Sequence, residues 1–314
     1  MPESMTANDS APWDLEAITL GLGEARARWR AAQQRHGAHG SIGFPSRREL
    51  DEITTALCAA LFPLRLGPGS VRVDTEDAFV RQTLGAALTR LQAQVRLELG
   101  YDLNHSDPNS ANTAAHRIVG AFSASLPRIR TLLDSDVDAA YAGDPAARSA
   151  DEVLLCYPGI LAVIHYRLAH RLHQLGAPLV GRIIAELAHS TTGIDIHPGA
   201  RIGHSFFIDH GTGVVIGETA IIGDRVRIYQ GVTLGARSFP ATEQGQLEKG
   251  LPRHPIVQDD VVIYAGASLL GRITIGRGST IGGNVWLTQS VPPGSQISQA
   301  RSERQRPFEQ GAGI

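Results

Sequence analysis

The sequence predicts an α+β fold in two parts, an N-terminal all-α domain followed by a C-terminal parallel β-solenoid. Glycine supports the division, because residues 1–192 hold 14 of the 34 glycines whereas the much shorter segment 193–294 holds 18. Apolar residues recur at helical spacing in the first part and at every sixth position in the second. With 314 residues and 42% hydrophobic side chains, the chain is long enough to bury a sizeable core.

The first part is predicted to be a helical domain over residues 13–190, preceded by a disordered segment, 1–12. Between residues 80 and 99 most apolar side chains fall three or four positions apart, and residues 160–175 repeat the pattern. The stretch 67–69, Gly-Pro-Gly, separates two helical segments as a turn.

The second part, residues 191–293, repeats with a period of six and is followed by a polar tail, 294–314. One flat strand and one tight turn per six residues make a triangular coil of about 18 residues, with the aliphatic residue inside. An antiparallel sandwich would instead show a period of two. The pattern resembles the hexapeptide-repeat, left-handed parallel β-helix family. The repeating positions are Ile196, Ile202, Ile208, Ile216, Ile222, Ile228, Leu234, Val257, Ile263, Leu269, Ile275, Ile281 and Leu287.

One departure from the period is a two-residue slip between Ile208 and Ile216. The slip spans Asp209, His210 and two glycines. Bulges of this kind often re-aim side chains at functional sites.

The other departure is a loop over residues 235–255, which interrupts the repeat after Leu234. Long irregular loops inside compact domains are usually functional or disordered. The last turn of this loop places Arg253 and His254 between two prolines, so we expect it to be rigid.

Four motifs then identify a more specific resemblance, to the serine O-acetyltransferase family. Residues 193–203 read GIDIHPGARIG, 208–220 read IDHGTGVVIGETA, 230–235 read QGVTLG and 253–255 read RHP. The resemblance covers residues 140–292. It implies transfer of acetyl from acetyl-CoA, the co-substrate, to the hydroxyl of L-serine, giving O-acetylserine for cysteine synthesis. It also implies that L-cysteine inhibits by occupying the serine site.

The resemblance assigns roles to six residues. His210 is the general base, and Asp195 orients its imidazole. Serine is held by a second set of side chains, which comprises Asp144, Asp209, Arg253 and His254.

The same resemblance places acetyl-CoA in the groove between adjacent subunits of a homotrimer, against small residues. The matching positions are Gly235, Ala236, Ala265 and Gly283. Whether trimers pair into a dimer of trimers stays open.

The chemistry agrees with these roles. A serine hydroxyl is a weak nucleophile and needs a base within hydrogen-bond reach, and a carboxylate can fix the tautomer of a histidine base. Carboxylate side chains can bind the ammonium group of the substrate, and Arg253 can pair with the carboxylate of the substrate. Because neither Cys58 nor Cys156 lies in the coils, we predict direct transfer without an acyl-cysteine.

Two alternatives remain open. One is acetylation of another small hydroxyl acceptor, a sugar or homoserine. The other is a zinc carbonic anhydrase, since His197, His204 and His210 lie in one stretch. Residues six apart occupy successive faces of a triangle and diverge within one chain, so we predict no metal.

Charge and hydrophobicity give no support for nucleic acid or a membrane as a partner. A net charge of −2 gives no electrostatic argument for nucleic acid, and no apolar run approaches the roughly 20 residues that span a bilayer. The first ten residues lack the pattern of a signal peptide, so we predict a cytoplasmic protein without a membrane partner.

The tail ends in Ile314, after a glycine-rich stretch. A terminal carboxylate beside one aliphatic side chain suits a carboxylate-binding pocket. In the family that the sequence resembles, such a tail enters the active site of O-acetylserine sulfhydrylase, so we predict that Ile314 binds that enzyme.

Overall fold

The computed structural model describes residues 13–32, 43–101, 108–238, 247–248 and 250–299. The chain forms two compact units, residues 1–43 and 44–314. The element described in the first unit is helix α1 (Leu15–Ala32). The segment 1–12, predicted to be disordered, lies outside the described residues.

The second unit begins with seven helices among its described residues, whose ends follow local sequence signals. Ser46 and Ser149 cap α2 and α6 through their side chains, and Pro158 and Pro178 open α7 and α8. Gly193 ends α8 in the left-handed region, with a φ of 70°. The helices are α2 (Arg47–Leu61), α3 (Pro63–Leu66), α4 (Glu76–Tyr101), α5 (Pro108–Gly143), α6 (Ala150–Cys156), α7 (Pro158–Gln174) and α8 (Pro178–Thr192).

Fourteen short strands follow in the described residues, and all their pairings are parallel. They are β1 (Asp195–Ile196), β2 (Arg201–Ile202), β3 (Phe207–Ile208), β4 (Val215–Ile216), β5 (Ile221–Ile222), β6 (Arg227–Ile228), β7 (Thr233–Gly235), β8 (Ile256–Val257), β9 (Val262–Ile263), β10 (Ser268–Leu270), β11 (Thr274–Ile275), β12 (Thr280–Ile281), β13 (Trp286–Leu287) and β14 (Gln296–Ile297).

The strands form three faces of a triangular β-helix. Face A has the order β1-β4-β7-β10-β13, face B β11-β8-β5-β2 and face C β14-β12-β9-β6-β3. On face A the repeating residues Ile196, Ile216, Leu234, Leu269 and Leu287 stack in register. The repeating aliphatic residues therefore stay in register on both sides of the slip and of the loop. The predicted left-handed parallel β-helix is confirmed.

Three corners join the faces, and we name each by the faces that it connects. Corner CA comprises 209–214, 229–232, 264–267 and 282–285. Corner AB comprises 197–200, 217–220, 251–255 and 271–273. Corner BC comprises 203–206, 223–226, 258–261 and 276–279.

The helices and the first coil share one core, so the predicted boundary at residue 190 lies inside the second unit. Asp136 of α5 and Arg167 of α7 form a buried ion pair at 2.5 Å. Arg167 also donates to the Gly203 carbonyl, and Asp136 accepts from the Phe206 amide. These bonds fix α5 and α7 against strand β3.

The coils continue four residues beyond their predicted end at 293, because β14 pairs with β12. Among the described helices, no single one has the length and apolar character to cross a membrane. The bent pair α6–α7 meets that requirement only when its two helices are counted together, and only by length and composition.

Candidate active site

The slip forms a bulge at corner CA that turns His210 outwards. His210 has a φ of 57°, in the left-handed region, and its side chain is 72% exposed. The next residue must be glycine, since a Cβ on Gly211 would lie 2.4 Å from Ile194. The two additional residues thus place an imidazole at the surface of the corner.

Asp209, beside His210, is largely buried and ion-paired. Its Oδ2 accepts a 2.8 Å hydrogen bond from Nη2 of Arg227, and its Oδ1 lies 3.9 Å from Nε2 of His210. The Arg227 guanidinium also lies over the rings of Phe207 and Tyr229, 5.0 and 4.8 Å from their centroids. Arg227 therefore holds Asp209 in one orientation.

Asp144 follows the C-terminal end of α5 and approaches the same corner. Its Oδ2 accepts a 2.5 Å hydrogen bond from the Tyr157 hydroxyl, and its Oδ1 accepts from the Ala146 amide. The Tyr157 bond, then the Ala146 amide and the charges of Arg227 and His210, hold the pKa of Asp144 below its usual value. The Asp144 bond in turn raises the pKa of Tyr157 to about 12. Asp144 is thus ionised at neutral pH.

These residues make up a cluster that we name the histidine half-site. It comprises Asp144, Tyr157, Asp209, His210 and Arg227. It offers an exposed imidazole beside two carboxylates, one of which is already paired with an arginine.

A second cluster, the arginine half-site, lies at corner AB. Arg253 donates from Nη2 to Oε2 of Glu218 at 2.7 Å, and its amide donates to Oγ1 of Thr219. His254 is buried, and its Nδ1 accepts from the Thr219 amide at 3.0 Å, so its proton lies on Nε2. Gly217 admits this ring, because a Cβ there would lie 2.1 Å from it.

Burial, followed by the charge of Arg253, lowers the pKa of His254 to about 4. His254 is therefore neutral at physiological pH and can donate one hydrogen bond from Nε2. Arg253 carries the positive charge of this half-site.

The two half-sites lie at opposite edges of face A. The histidine half-site is at the corner that precedes the face, and the arginine half-site is at the corner that follows it. The structure of one chain thus brings Asp144, Asp209 and His210 together, and Arg253 and His254 together, but does not unite the two groups.

Asp195 lies on β1 of face A, among different neighbours from those predicted. One carboxylate oxygen of Asp195 and ligand atoms of Glu186 and His189 lie within 4.8 Å of one another. No hydrogen bond joins Asp195 to His210 within the described part of the chain. The orienting role of Asp195 stays a prediction.

The histidines considered for a zinc site are separated. His197 has a structural environment: its Nδ1 accepts from the Gly199 amide, and burial lowers its pKa to about 4. His204 lies at corner BC and contacts Asp224. Across the residues described, the one cluster with metal-ligand spacing contains neither of these, nor His210.

The four residues predicted to contact acetyl-CoA divide between the same two corners. Gly235 ends β7 and Ala236 follows it towards corner AB, whereas Ala265 and Gly283 lie on corner CA. A Cβ on Gly235 would lie 2.9 Å from the end of the Leu270 side chain, so a larger residue there would displace that leucine. Residues 239–246 of the loop, and Ile314, lie outside the described residues.

Sequence reasoning missed Tyr157 and Arg227. Arg227 had a detectable signal, because it precedes Ile228 in the repeat and is the register partner of Phe207, two residues before Asp209. Tyr157 had none, since its contact with Asp144 depends on how α5 and α6 pack. Glu218, to which the sequence motifs assign no role, pairs with Arg253.

Comparison with known proteins gives a consistent result. The chain is 59% identical over 277 residues to a plasmid-encoded serine acetyltransferase of Synechococcus elongatus, with 86% of each chain covered. It is 51% identical over 167 residues to the Mycobacterium tuberculosis serine acetyltransferase, covering 53% of this chain and 69% of the relative. No family model matches.

Solved structures agree. Serine acetyltransferase isoform 3 of Entamoeba histolytica, in complex with cysteine, superposes with a TM-score of 0.69 at 37% identity, covering 82% of this chain and 84% of its own. The Neisseria gonorrhoeae enzyme in complex with serine gives 0.52 at 27% identity, covering 81% and 96%. The resemblance inferred from the four motifs is confirmed: the chain belongs to the serine acetyltransferase family.

Proposed function

We propose that this protein transfers the acetyl group of acetyl-CoA to the hydroxyl of L-serine, giving O-acetylserine and CoA. The observation that carries the proposal is the exposed imidazole of His210 next to the carboxylates of Asp144 and Asp209. A relative solved with serine and another solved with cysteine support an amino acid as the acceptor and cysteine as its competitor.

Each half-site can bind one charged group of the amino acid, its ammonium or its carboxylate. Asp144 and Asp209 attract the ammonium, with Arg227 neutralising one of their two charges. The Arg253 guanidinium, which donates to Glu218 from Nη2, can also bind the substrate carboxylate. Nε2 of His254 can donate a further hydrogen bond to that carboxylate. These contacts would leave the serine hydroxyl directed towards His210.

His210 then acts as general base. Imidazole is the side chain whose ordinary pKa lies nearest neutrality, and general-base catalysis contributes roughly 10²–10⁴-fold. His210 removes the hydroxyl proton as the serine oxygen attacks the thioester carbonyl. The same imidazolium returns that proton to the departing CoA sulfur. Cys58 cannot carry the acetyl group, since it is buried and burial raises its pKa to about 12.

A complete site requires a second copy of the chain. Corner CA and corner AB bound the same face, so a ring in which one corner CA meets the next corner AB completes every site and closes on itself. We propose a homotrimer, with acetyl-CoA in the groove between copies. Gly235, Ala236, Ala265 and Gly283 would line this groove from both sides.

Two experiments test the proposal. Release of CoA is followed with acetyl-CoA and a panel of serine, homoserine and sugars, where turnover with serine is expected to be the fastest. Turnover confined to homoserine or a sugar would establish the alternative acceptor instead.

The shared site is tested by mixing two impaired variants, His210→Ala and Arg253→Ala, at a serine concentration well below the KM of Arg253→Ala. After subunits exchange, about one quarter of the interfaces combine an intact histidine half-site with an intact arginine half-site, so activity returns. A mixture without activity, despite proven exchange, would mean that each site forms within one chain.

The remaining expectations rest on sequence. A cytoplasmic location, feedback inhibition by L-cysteine and binding of the sulfhydrylase through Ile314 stay predictions of this proposal. So does the choice between a single trimer and a dimer of trimers.

A further inference from the structure

A cavity of about 580 Å³ lies between α5, α7 and the first two coils at corner BC. Its volume is within the range of about 300–1,000 Å³ that is usual for small-molecule sites. Corner BC lies opposite face A, whose two edges carry the half-sites. The cavity is therefore separate from the proposed active site and from the interface that would complete it.

Three arginines line the cavity, Arg128, Arg167 and Arg171. Arg128 and Arg171 enter the cavity without a carboxylate partner among the residues that the structure describes. The lining carboxylate, Asp224, is already engaged, since it accepts from the His204 amide and lies 3.2 Å from that ring. Two guanidinium charges thus face the cavity uncompensated.

Arg167 also lines the cavity but adds no free charge. Its guanidinium makes two hydrogen bonds to Asp136, at 2.5 and 2.8 Å, and a third to the Gly203 carbonyl. It forms a fixed wall that holds the helices to the coil.

Arg171 has an unsatisfied donor here. Its Nε is buried and has no hydrogen-bond partner in the described ranges, and its Nη1 makes only a 3.4 Å bond to Gln174. A buried donor without a partner is unfavourable in folded proteins. Arg171, which lines the cavity, therefore keeps its charge without a strong acceptor in the described ranges.

The side chains next to Arg171 are neutral and held by hydrogen bonds, so they do not compensate its charge. Nδ1 of His170 donates to the Pro198 carbonyl, so Nε2 accepts from the Gln174 amide at 2.9 Å. Burial lowers the pKa of His170, which keeps the ring neutral. The Gln174 oxygen consequently points towards Arg171.

We propose that the cavity binds a small organic anion, whose carboxylate or phosphate group pairs with Arg128 and Arg171. Guanidinium groups bind either group in a bidentate manner. The remaining wall is apolar, with Ile129, Leu132 and Ile202, and fits a short hydrocarbon part of the ligand.

Calorimetric titration of the full-length protein tests the proposal, with succinate as the carboxylate probe and inorganic phosphate as the phosphate probe, at constant ionic strength. We expect one of the two to bind with one site per chain. The double variant Arg128→Gln/Arg171→Gln should bind it at least about tenfold more weakly, as expected for losing charged hydrogen bonds. Preference between the probes identifies the anionic group.

Two controls make the result decisive. Arg117→Gln removes the same charge from an exposed position of α5 and should leave binding unchanged. Arg253→Ala should also leave it unchanged, which separates this cavity from the proposed serine site. Arg128→Gln alone, at an exposed position, provides a variant whose folding is not at risk and should weaken binding in part.

Three results would overturn the proposal: no binding of either probe, equal affinity in the double variant, or loss of binding in Arg253→Ala. The CoA-release assay is independent of all three, so failure here leaves the proposed acetyl transfer untouched, and the converse holds as well.

Discussion

Arg227 gives the most direct test of how the histidine half-site is built. Arg227→Met keeps the hydrocarbon stem and removes the guanidinium. Asp209 then loses its 2.8 Å ion pair, while its own side chain is only 10% exposed. A buried carboxylate without a partner is unfavourable, so the variant should be less stable and should bind serine more weakly.

The magnitude follows from burial. Removing one partner of a fully buried pair costs about 3–5 kcal/mol, whereas an exposed pair contributes about 0–1 kcal/mol. Arg227 is 26% exposed, which places this pair between the two limits. We expect the free energy of unfolding to fall by about 2 kcal/mol, an intermediate value on the scale these limits set.

Urea unfolding at fixed protein concentration measures this loss. Arg225→Met is the matched control in the same coil, because Arg225 pairs with Asp260 at side-chain exposures of 48% and 43%. The control should cost at most about 1 kcal/mol, the upper limit for an exposed pair. Equal stability of the two variants would refute the reasoning.

A second substitution separates charge from shape. Adding Asp209→Asn to Arg227→Met replaces the orphaned carboxylate with a neutral amide, so part of the lost stability should return. The KM for serine should stay high, because the ammonium still lacks one carboxylate. Recovery of serine binding in the double variant would show that Asp209 does not contact the substrate.

Four further predictions concern the proposed reaction. His210→Ala should lower kcat by roughly 10²–10⁴-fold without unfolding the protein, and near-normal turnover would exclude it as the base. Arg253→Ala should raise the KM for serine far more than that for acetyl-CoA and weaken cysteine inhibition in parallel; an unchanged inhibition constant would make it a loop contact. In Tyr157→Phe the pKa of Asp144 should rise, since the hydrogen bond that lowers it is lost. The carboxylate would then be protonated at a higher pH as the solution is acidified, so the midpoint of its own titration, followed by NMR of the carboxyl carbon, should move upwards; an unmoved midpoint would contradict the assignment. Deleting residues 313–314 should abolish binding of the sulfhydrylase in calorimetry and leave acetyl transfer intact, whereas equal affinity would show that the tail is not the contact.

The β-helix was predictable because its core repeats. Each aliphatic residue of the series is inside the coil, and stacking them fixes the pairing of every strand. Even the slip at 209–213 could be located, since Ile208 and Ile216 can be in phase only if two residues bulge outwards. The helices were predictable as helices but not in their packing, because apolar spacing does not specify a partner.

The contacts within the site depend on tertiary geometry, so the sequence predicted only some of them. The motif around His210 indicated a base, but not that Arg227 holds the adjacent Asp209. Asp195 illustrates the limit: its place 15 residues before His210 puts both near one edge of the coil. Yet the carboxylate lies with Glu186 and His189 of α8, because that helix packs directly on strand β1.

The proposed division of the site between two chains would account for the separation of the two half-sites in one chain. A triangular coil separates any two of its corners by a whole face, so residues at corners CA and AB cannot converge on one substrate however the loops adjust. The side chains of both clusters are nevertheless held by hydrogen bonds. Tyr157 orients Asp144, Thr219 orients His254, and Glu218 orients Arg253. Preorganised groups at both edges of one face are what a closed ring of identical subunits requires, since each interface then receives one cluster from each side. Assembly and catalysis are therefore expected to be inseparable in this protein, and dilution to the free chain should abolish activity before the β-helix unfolds.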